Sequence, residues 1–254
     1  MLAGFVEMRT SNGGIVIGID EAGRGPIIGP MVIALVAIGE QVLAELFELG
    51  VRDSKELSPR KRRALKDIIL DKSNLVIYVI IPPSIIDRFN LNTLEYETIE
   101  YMLSRAYTLL GILPSKIIID AIGPINNMRN YLYRRLQWIK RVPLIIEPKA
   151  DAKHVAVSAA SIVAKVIRDA EIEKLRKLYG VKGSGYPTDT ATLEWIIEAY
   201  RRDPKNPPWF IRRTWSTLKH IAPSWYMEKN ASLQHSRVKQ TTLLDYIKKG
   251  KESG

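Results

Sequence analysis

The sequence predicts an α/β fold: a mixed sheet of about five strands flanked by helices, with a small C-terminal helical extension. Three observations point there. Short β-branched runs recur through the first 150 positions, each the length of a buried strand. Three of the predicted strands come early, and helices then alternate with strands, the order of a mixed sheet with helices on its faces. At 254 residues with 46% hydrophobic and 26% charged, the chain has the composition of a globular protein with one sizeable core.

Ile15 to Ile19 reads as a buried strand, and Met31 to Ile38 as a second after a Gly-Pro turn. Ser58-Pro59 opens a helix, with Ser as N-cap and Pro at the first helical position, and a basic amphipathic run continues to about Leu70. Leu75 to Ile81 is a third strand, stopped by Pro82-Pro83. Thr93 to Gly111 has helical periodicity and ends at a glycine. Lys116 to Asp120 is a fourth strand and Pro143 to Glu147 a short fifth. A long helix is expected from about Lys153 to Tyr179, and another from about Asp189 to Arg202. The Pro-rich stretch DPKNPPWF then marks a boundary. The expected organisation is a body over residues 1–200 and a helical extension over 201–227, with Trp209, Trp215 and Trp225, that packs on it. A flexible basic tail follows over 228–254.

Thirty-eight Lys and Arg against 27 Asp and Glu leave a net charge of +11, which favours a polyanionic partner, nucleic acid first. The surplus is uneven. Residues 201–254 carry 12 basic and 4 acidic side chains, a net of +8, and residues 1–200 only +3. The absence of Cys excludes disulfides, thiolate metal sites and cysteine nucleophiles. Three His (His154, His220, His235) make no histidine-rich centre. No signal pattern opens the chain, and its longest apolar stretch, Ile27 to Gly39, is broken by Gly29-Pro30, so a cytoplasmic protein is expected. Four Gln and no Cys lean toward a thermophilic source. The run Gly23 to Gly29 has one residue too many for a dinucleotide fingerprint, and no Walker A sequence occurs.

What remains is a set of carboxylates at the ends of buried strands. Asp20 follows IVIGI, Glu21 is next, and Asp120 follows KIII. A carboxylate there is costly unless it is paired, lies in a crevice or binds a cation, and the crevice at strand carboxyl ends is where open sheets bind ligands. Neighbouring strand residues face opposite ways, so Asp20 and Glu21 share one site only if the chain leaves the strand between them. The glycines of Ala22-Gly23-Arg24-Gly25 permit that departure. Asp151 sits at the mouth of the long helix. Singly, each reads as a turn residue or an N-cap. Together, Asp and Glu without His or Cys are the hard-oxygen donors of Mg²⁺ or Mn²⁺.

Five blocks carry a resemblance: IGIDEAGRGPIIGPMVIA at 17–34, DSKELSPRKR at 53–62, IIIDAIGP at 117–124, PKADAKHVAVSAASIVAKVIRD at 148–169 and GSGYPTD at 183–189. In this order they resemble type 2 ribonuclease H (ribonuclease HII) in its archaeal form, over about residues 13–220. The resemblance implies a ribonuclease H-like sheet and a metal-dependent endoribonuclease. Such an enzyme cuts the RNA strand of RNA–DNA hybrids and nicks 5′ of ribonucleotides embedded in duplex DNA, leaving a 5′-phosphate and a 3′-hydroxyl. Asp20, Glu21, Asp120 and Asp151 match the four carboxylates that hold two divalent ions, Mg²⁺ or Mn²⁺, about 4 Å apart. Gly23, Arg24, Gly25 and Tyr186 match the residues that read the 2′-hydroxyl, the group that tells RNA from DNA. Lys55 and Lys149 look like contacts to the nucleic-acid backbone. Ser158, Ser161, Lys165 and Arg168 fall on one helical stripe. Its small neighbours predict close packing on the sheet, and Ser158, Lys165 and Arg168 are expected to meet phosphates. His154, beside a proposed ligand, reads as a local structural histidine.

In the tail, Gln240-Thr241-Thr242-Leu243-Leu244-Asp245-Tyr246-Ile247 resembles the short motif that docks on sliding clamps (PCNA). One helical turn would set Leu243, Tyr246 and Ile247 on one side as a plug, with Gln240 ahead of them. Ile247 stands where a second aromatic is usual. The rival reading from another class is a non-catalytic hybrid-binding or clamp-adaptor protein, which four intact carboxylates disfavour. Type 3 ribonuclease H shares the chemistry and adds an N-terminal domain, for which the dozen residues before the first strand are too few. Nothing in the sequence calls for an oligomer, so a monomer is expected.

Overall fold

One six-stranded sheet, its strands numbered β1 to β6 along the chain and ordered β1-β4-β3-β2-β5-β6, lies between the helices. A computed structural model describes residues 2–6, 13–52, 57–121 and 123–229. Its strands are β1 (Leu2–Val6), β2 (Ile15–Ala22), β3 (Met31–Gly39), β4 (Leu75–Ile81), β5 (Lys116–Asp120) and β6 (Leu144–Glu147). β1 to β4 pair antiparallel, whereas β2, β5 and β6 run parallel. The five expected strands are all present, and β1 adds a sixth at one edge.

Helices cover both faces. α1 (Glu40–Glu48), α2 (Pro59–Lys72) and α6 (Val155–Tyr179) lie on one, and α4 (Leu91–Leu110) and α5 (Ile125–Arg135) on the other. The short α3 (Pro83–Ile86) follows β4. α7 (Thr190–Arg202) and the single turn α8 (Leu218–Ile221) build the C-terminal part. Among the described residues no helix is long and apolar enough to cross a membrane.

Local chemistry explains the boundaries. Ser58 Oγ accepts from the Lys61 amide at 3.2 Å while Pro59 occupies the first turn of α2. Asn90 caps α4, and Gly111 and Gly180 end α4 and α6 in the left-handed conformation. Asp189 is the cap of α7, accepting from the Ala191 amide at 3.1 Å. The expected start of the long helix is divided: Ala150–Ala152 makes a 3₁₀ turn and α6 begins at Val155. α1 and α5 were not anticipated. α5 (INNMRNYLYRR) carries three Asn and no side-chain cap, and it is held by the burial of Met128 and Leu132.

Alternation along the strands sorts the core into two layers. Ile15, Ile17, Ile19, Ile117 and Ile119 pack under α4 and α5. Val16, Val32, Ala34, Val36 and Ile118 pack under α6 with its small residues Ala156, Ala159, Ala160 and Ala164. Gly18 is what lets α6 come so close, because a Cβ there would stand 2.2 Å from the Ala156 backbone. A third cluster, built on Ile27, Ile28, Trp195, Phe210 and Trp225, joins residues 203–227 to the body.

Candidate active site

Register decides which carboxylates meet. Ile19 pairs with Ile119 across β2 and β5, and Asp120 pairs with Glu147 across β5 and β6. Asp20 and Asp120 therefore follow their isoleucines side by side onto the α6 face. β6 then turns through Lys149, the one described non-glycine residue with positive φ (57°), into the 3₁₀ turn that carries Asp151. One ligand oxygen from each of Asp20, Asp120 and Asp151 lies within 4.8 Å of the others. Asp20 and Asp151 are buried.

Asp20 and Asp120 are held from outside the cluster. The Glu21 amide donates to Asp20 Oδ1 at 2.7 Å, and the Ala150 amide to Asp120 Oδ1 at 3.1 Å. Ser161 hydrogen-bonds Asp20, and Lys165 Nζ donates to Ser161 Oγ at 3.0 Å. Burial pushes the Asp20 carboxyl up to about 7, with Asp120 and Asp151 adding repulsion against the Ser161 and Glu21 bonds. Three carboxylates that repel one another in a buried pocket, with no His or Cys among them, suit a hard divalent cation. His154 takes no part in this set; its Nε2 pairs with Glu147 Oε1 at 2.9 Å.

Glu21 is placed differently from the other three. β2 does not end at Asp20 but continues to Ala22, with Glu21 opposite Ile33. The expectation that the chain leaves the strand between the two acids is therefore corrected. Glu21 leaves the sheet toward α4, where burial raises its carboxyl well above the ordinary value, and Asp20, Glu95 and Asp120 raise it further.

Beside the carboxylates, residues 23–30 form a loop whose shape is imposed by distant residues. Gly23 has φ +87, and a Cβ there would stand 2.8 Å from the Pro30 carbonyl. The carbonyls of the Gly23-Arg24-Gly25 segment are all taken. Arg212, fully buried, donates to Gly23 O, to Arg24 O at 2.8 Å and to Gly29 O at 2.9 Å. Trp215 Nε1 donates to Gly25 O at 2.9 Å, and its ring lies 5.0 Å from the Arg212 guanidinium. The Arg24 side chain bonds Glu95 and, at 2.6 Å, Asn92 Oδ1 on α4. Burial lifts Glu95 to about 6 even against the Arg24 charge.

Tyr186 lies over this loop. Its ring would touch a Cβ on Gly25 at 3.5 Å, and it is 39% exposed, so it is open to a ligand. Gly185 (φ +85) accepts from the Ile27 and Ile28 amides at 2.8 and 3.1 Å, which joins the two segments.

The expected phosphate stripe is corrected in two places. Ser158 is 1% exposed and faces the packed interior. Arg168 is 7% exposed, donates to Ser184 O at 2.9 Å and lies 5.3 Å from the Tyr186 ring centroid, so it supports Tyr186 from beneath. Lys165 is half-buried on Ser161, and Lys149 is exposed at the mouth of the site. Lys55 and the tail residues Gln240, Leu243, Tyr246 and Ile247 lie outside the described residues. Arg212, Glu95 and Asn92 were not singled out from sequence, and Trp215 was read there only as part of the extension that packs on the body. A doublet of arginines inside the aromatic run WFIRRTW was the available signal for Arg212 and Trp215.

A family model described as Ribonuclease HII matches residues 17–218. The chain is 52% identical over 239 residues to a ribonuclease HII of Hyperthermus butylicus, covering 93% of this chain and 96% of that one. In structure it is similar to the ribonuclease H2 of Pyrococcus horikoshii, with a TM-score of 0.74 and 40% identity over 83% of this chain and 98% of the other. It is also similar to a ribonuclease HII of Archaeoglobus fulgidus solved in complex with PCNA, with a TM-score of 0.68 and 30% identity over 91% and 99% of the two chains.

Proposed function

The chain belongs to the ribonuclease HII family, and on that premise we propose that it nicks duplex DNA 5′ of an embedded ribonucleotide by two-metal-ion hydrolysis. Membership makes it a metal-dependent nuclease that cleaves the RNA strand of RNA–DNA hybrids. The observation that carries the finer reading is the meeting of three carboxylates with a glycine loop whose carbonyls are all engaged.

The residues divide the work by position. Asp20, Asp120 and Asp151 hold the ions, and Glu21 completes the set from the α4 side. Two Mg²⁺ or Mn²⁺ ions would supply the Lewis acidity that activates the attacking water and steadies the leaving 3′ oxygen, giving a 5′-phosphate and a 3′-hydroxyl. Ser161 and the Glu21 amide orient Asp20, and the Ala150 amide orients Asp120. With its carbonyls engaged, the Gly23-Arg24-Gly25 backbone keeps its amides for the ribose 2′-hydroxyl, and Tyr186 covers the same sugar. Arg168 serves by fixing Tyr186, while Lys149, Lys165 and Lys55 meet phosphates.

The same reading extends to partners. Gln240, Leu243, Tyr246 and Ile247 dock the tail on a sliding clamp, supported by the relative solved with PCNA. The enzyme works as a monomer in the cytoplasm.

Incubation with Mg²⁺ and a DNA duplex holding one ribonucleotide tests the proposal. The expected result is one nick on the 5′ side, and a loss of at least a thousandfold in Asp120→Asn. No nick, or undiminished cleavage by the variant, overturns it; binding without cutting favours the adaptor reading.

A further inference from the structure

We propose that the cleft between α4 and α5 is a second substrate subsite, which takes the sugar–phosphate backbone of the duplex beyond the cleaved position. It rests on the reading above that the substrate is duplex nucleic acid. The cleft has a volume of about 490 Å³ and is lined by Tyr96, Asn127, Asn130, Tyr131 and Arg134. The last four fall at i, i+3, i+4 and i+7 and so share one face of α5. Tyr96 supplies the floor from α4, its ring centroid 5.8 Å from that of Tyr131.

The lining is fixed and its donors are available. Tyr131 donates to Glu100 Oε2 at 2.7 Å, and Arg135 Nε donates to Glu100 Oε1 at 3.1 Å, which matches the Glu100 charge and sets the ring. Arg134 Nε donates to the Asn130 carbonyl at 3.2 Å, and no described carboxylate pairs with its terminal amines. Arg134 and the two asparagines are exposed. Amide and guanidinium donors over aromatic rings are the equipment of backbone contact, with phosphates on the donors and sugars against the rings.

Charge and place agree with this occupant. Residues 125–141 hold Arg129, Arg134, Arg135, Lys140 and Arg141 with no acid, more positive charge than the net +3 of the first 200 residues. Glu97 and Glu100 on the α4 wall are the opposing acids near Tyr131, and Arg135 answers one of them. α5 begins five residues after Asp120, and Gly123 between them sits against Asn92, which holds Arg24. The cleft therefore opens beside the loop proposed to read the ribose, where a duplex crossing the carboxylates would pass.

Anisotropy titrations without divalent metal, at several salt concentrations, test the subsite in the full chain. The probes are a duplex of about 24 base pairs with one ribonucleotide and a version cut short on the α5 side. Arg134→Glu is expected to bind the long duplex about tenfold more weakly and to flatten its salt slope by roughly one. Its affinity for the short duplex, and kcat at saturating substrate, should match the wild type. Asn127→Asp with Asn130→Asp should behave likewise, whereas Lys177→Glu, an equal charge reversal at the far end of α6, should not. Wild-type affinity and slope in Arg134→Glu, an equal loss in Lys177→Glu, or a loss confined to kcat each overturn the subsite. Failure of the wild-type enzyme to nick the duplex would overturn the functional reading itself, so the two failures are distinct.

Discussion

Asp189 shows how much of the site depends on single polar contacts. Its carboxylate accepts from the Ser184 amide, from Ser184 Oγ at 2.6 Å and from Thr192 Oγ1 at 3.3 Å while it caps α7. These bonds pull its pKa from 3.8 down to about 2, the side-chain bond of Ser184 foremost. A depressed carboxylate stabilises the fold above its unfolded pKa and releases that contribution as pH falls through the folded one. The loop that carries Tyr186 should thus stay tied to α7 at pH 4 and loosen as pH drops toward 2. Carbon-13 titration of the Asp189 carboxyl, read beside exchange of the Ser184 amide, would show both changes in that window; a midpoint near 3.8 contradicts the assignment. The residue types were readable here, and their orientation was not. Asp20 and Asp120 follow from acids placed directly after apolar strand runs, whereas Glu21 and Arg168 point where pleat and packing send them. A helical stripe tells which residues share a face, not what covers it.

At the scale of elements, the crossing of β2 and α6 sets the site. Asp20 lies two residues after Gly18, and Ser161 five residues after Ala156, so the contact of Gly18 with the Ala156 backbone fixes the spacing of both. Gly18→Ala would place a methyl group 2.2 Å from main-chain atoms that cannot turn aside. The expected cost is about 1–3 kcal/mol, or several degrees in Tm. Activity should fall further than stability alone explains, as thermal melts and assays well below Tm would show. Unchanged melting would mean that the two elements slide freely. Elements with strong periodicity or clear caps, such as α2, α4 and α7, were readable to within a few residues. α5 was not, because its helical state depends on burying Met128 and Leu132 and not on local preference.

Across the whole molecule, charge is arranged by function. Acidic side chains meet in the pocket at the ends of β2 and β5, and basic ones gather in residues 125–141 and in the last fifth of the chain. The net +11 and its concentration in residues 201–254 were readable at once, but the meeting of three acids in one pocket required the fold. Removing residues 239–254 should abolish binding to an immobilised archaeal clamp in surface plasmon resonance. Turnover on short duplexes should be untouched, because those residues are assigned no contact with the carboxylates. Undiminished clamp binding would remove the tail from the proposal.

Arg212 gives the molecule a dependence that its linear order hides. It reaches back 188 residues to the Arg24 carbonyl, so a segment late in the chain sets the shape of the loop over residues 23–30. Transplanting residues 1–200 alone into another chain would carry all four acids and leave their loop without its buried brace. The body and its extension thus form one functional piece: the loop keeps its form only while one guanidinium from the extension stays beneath it.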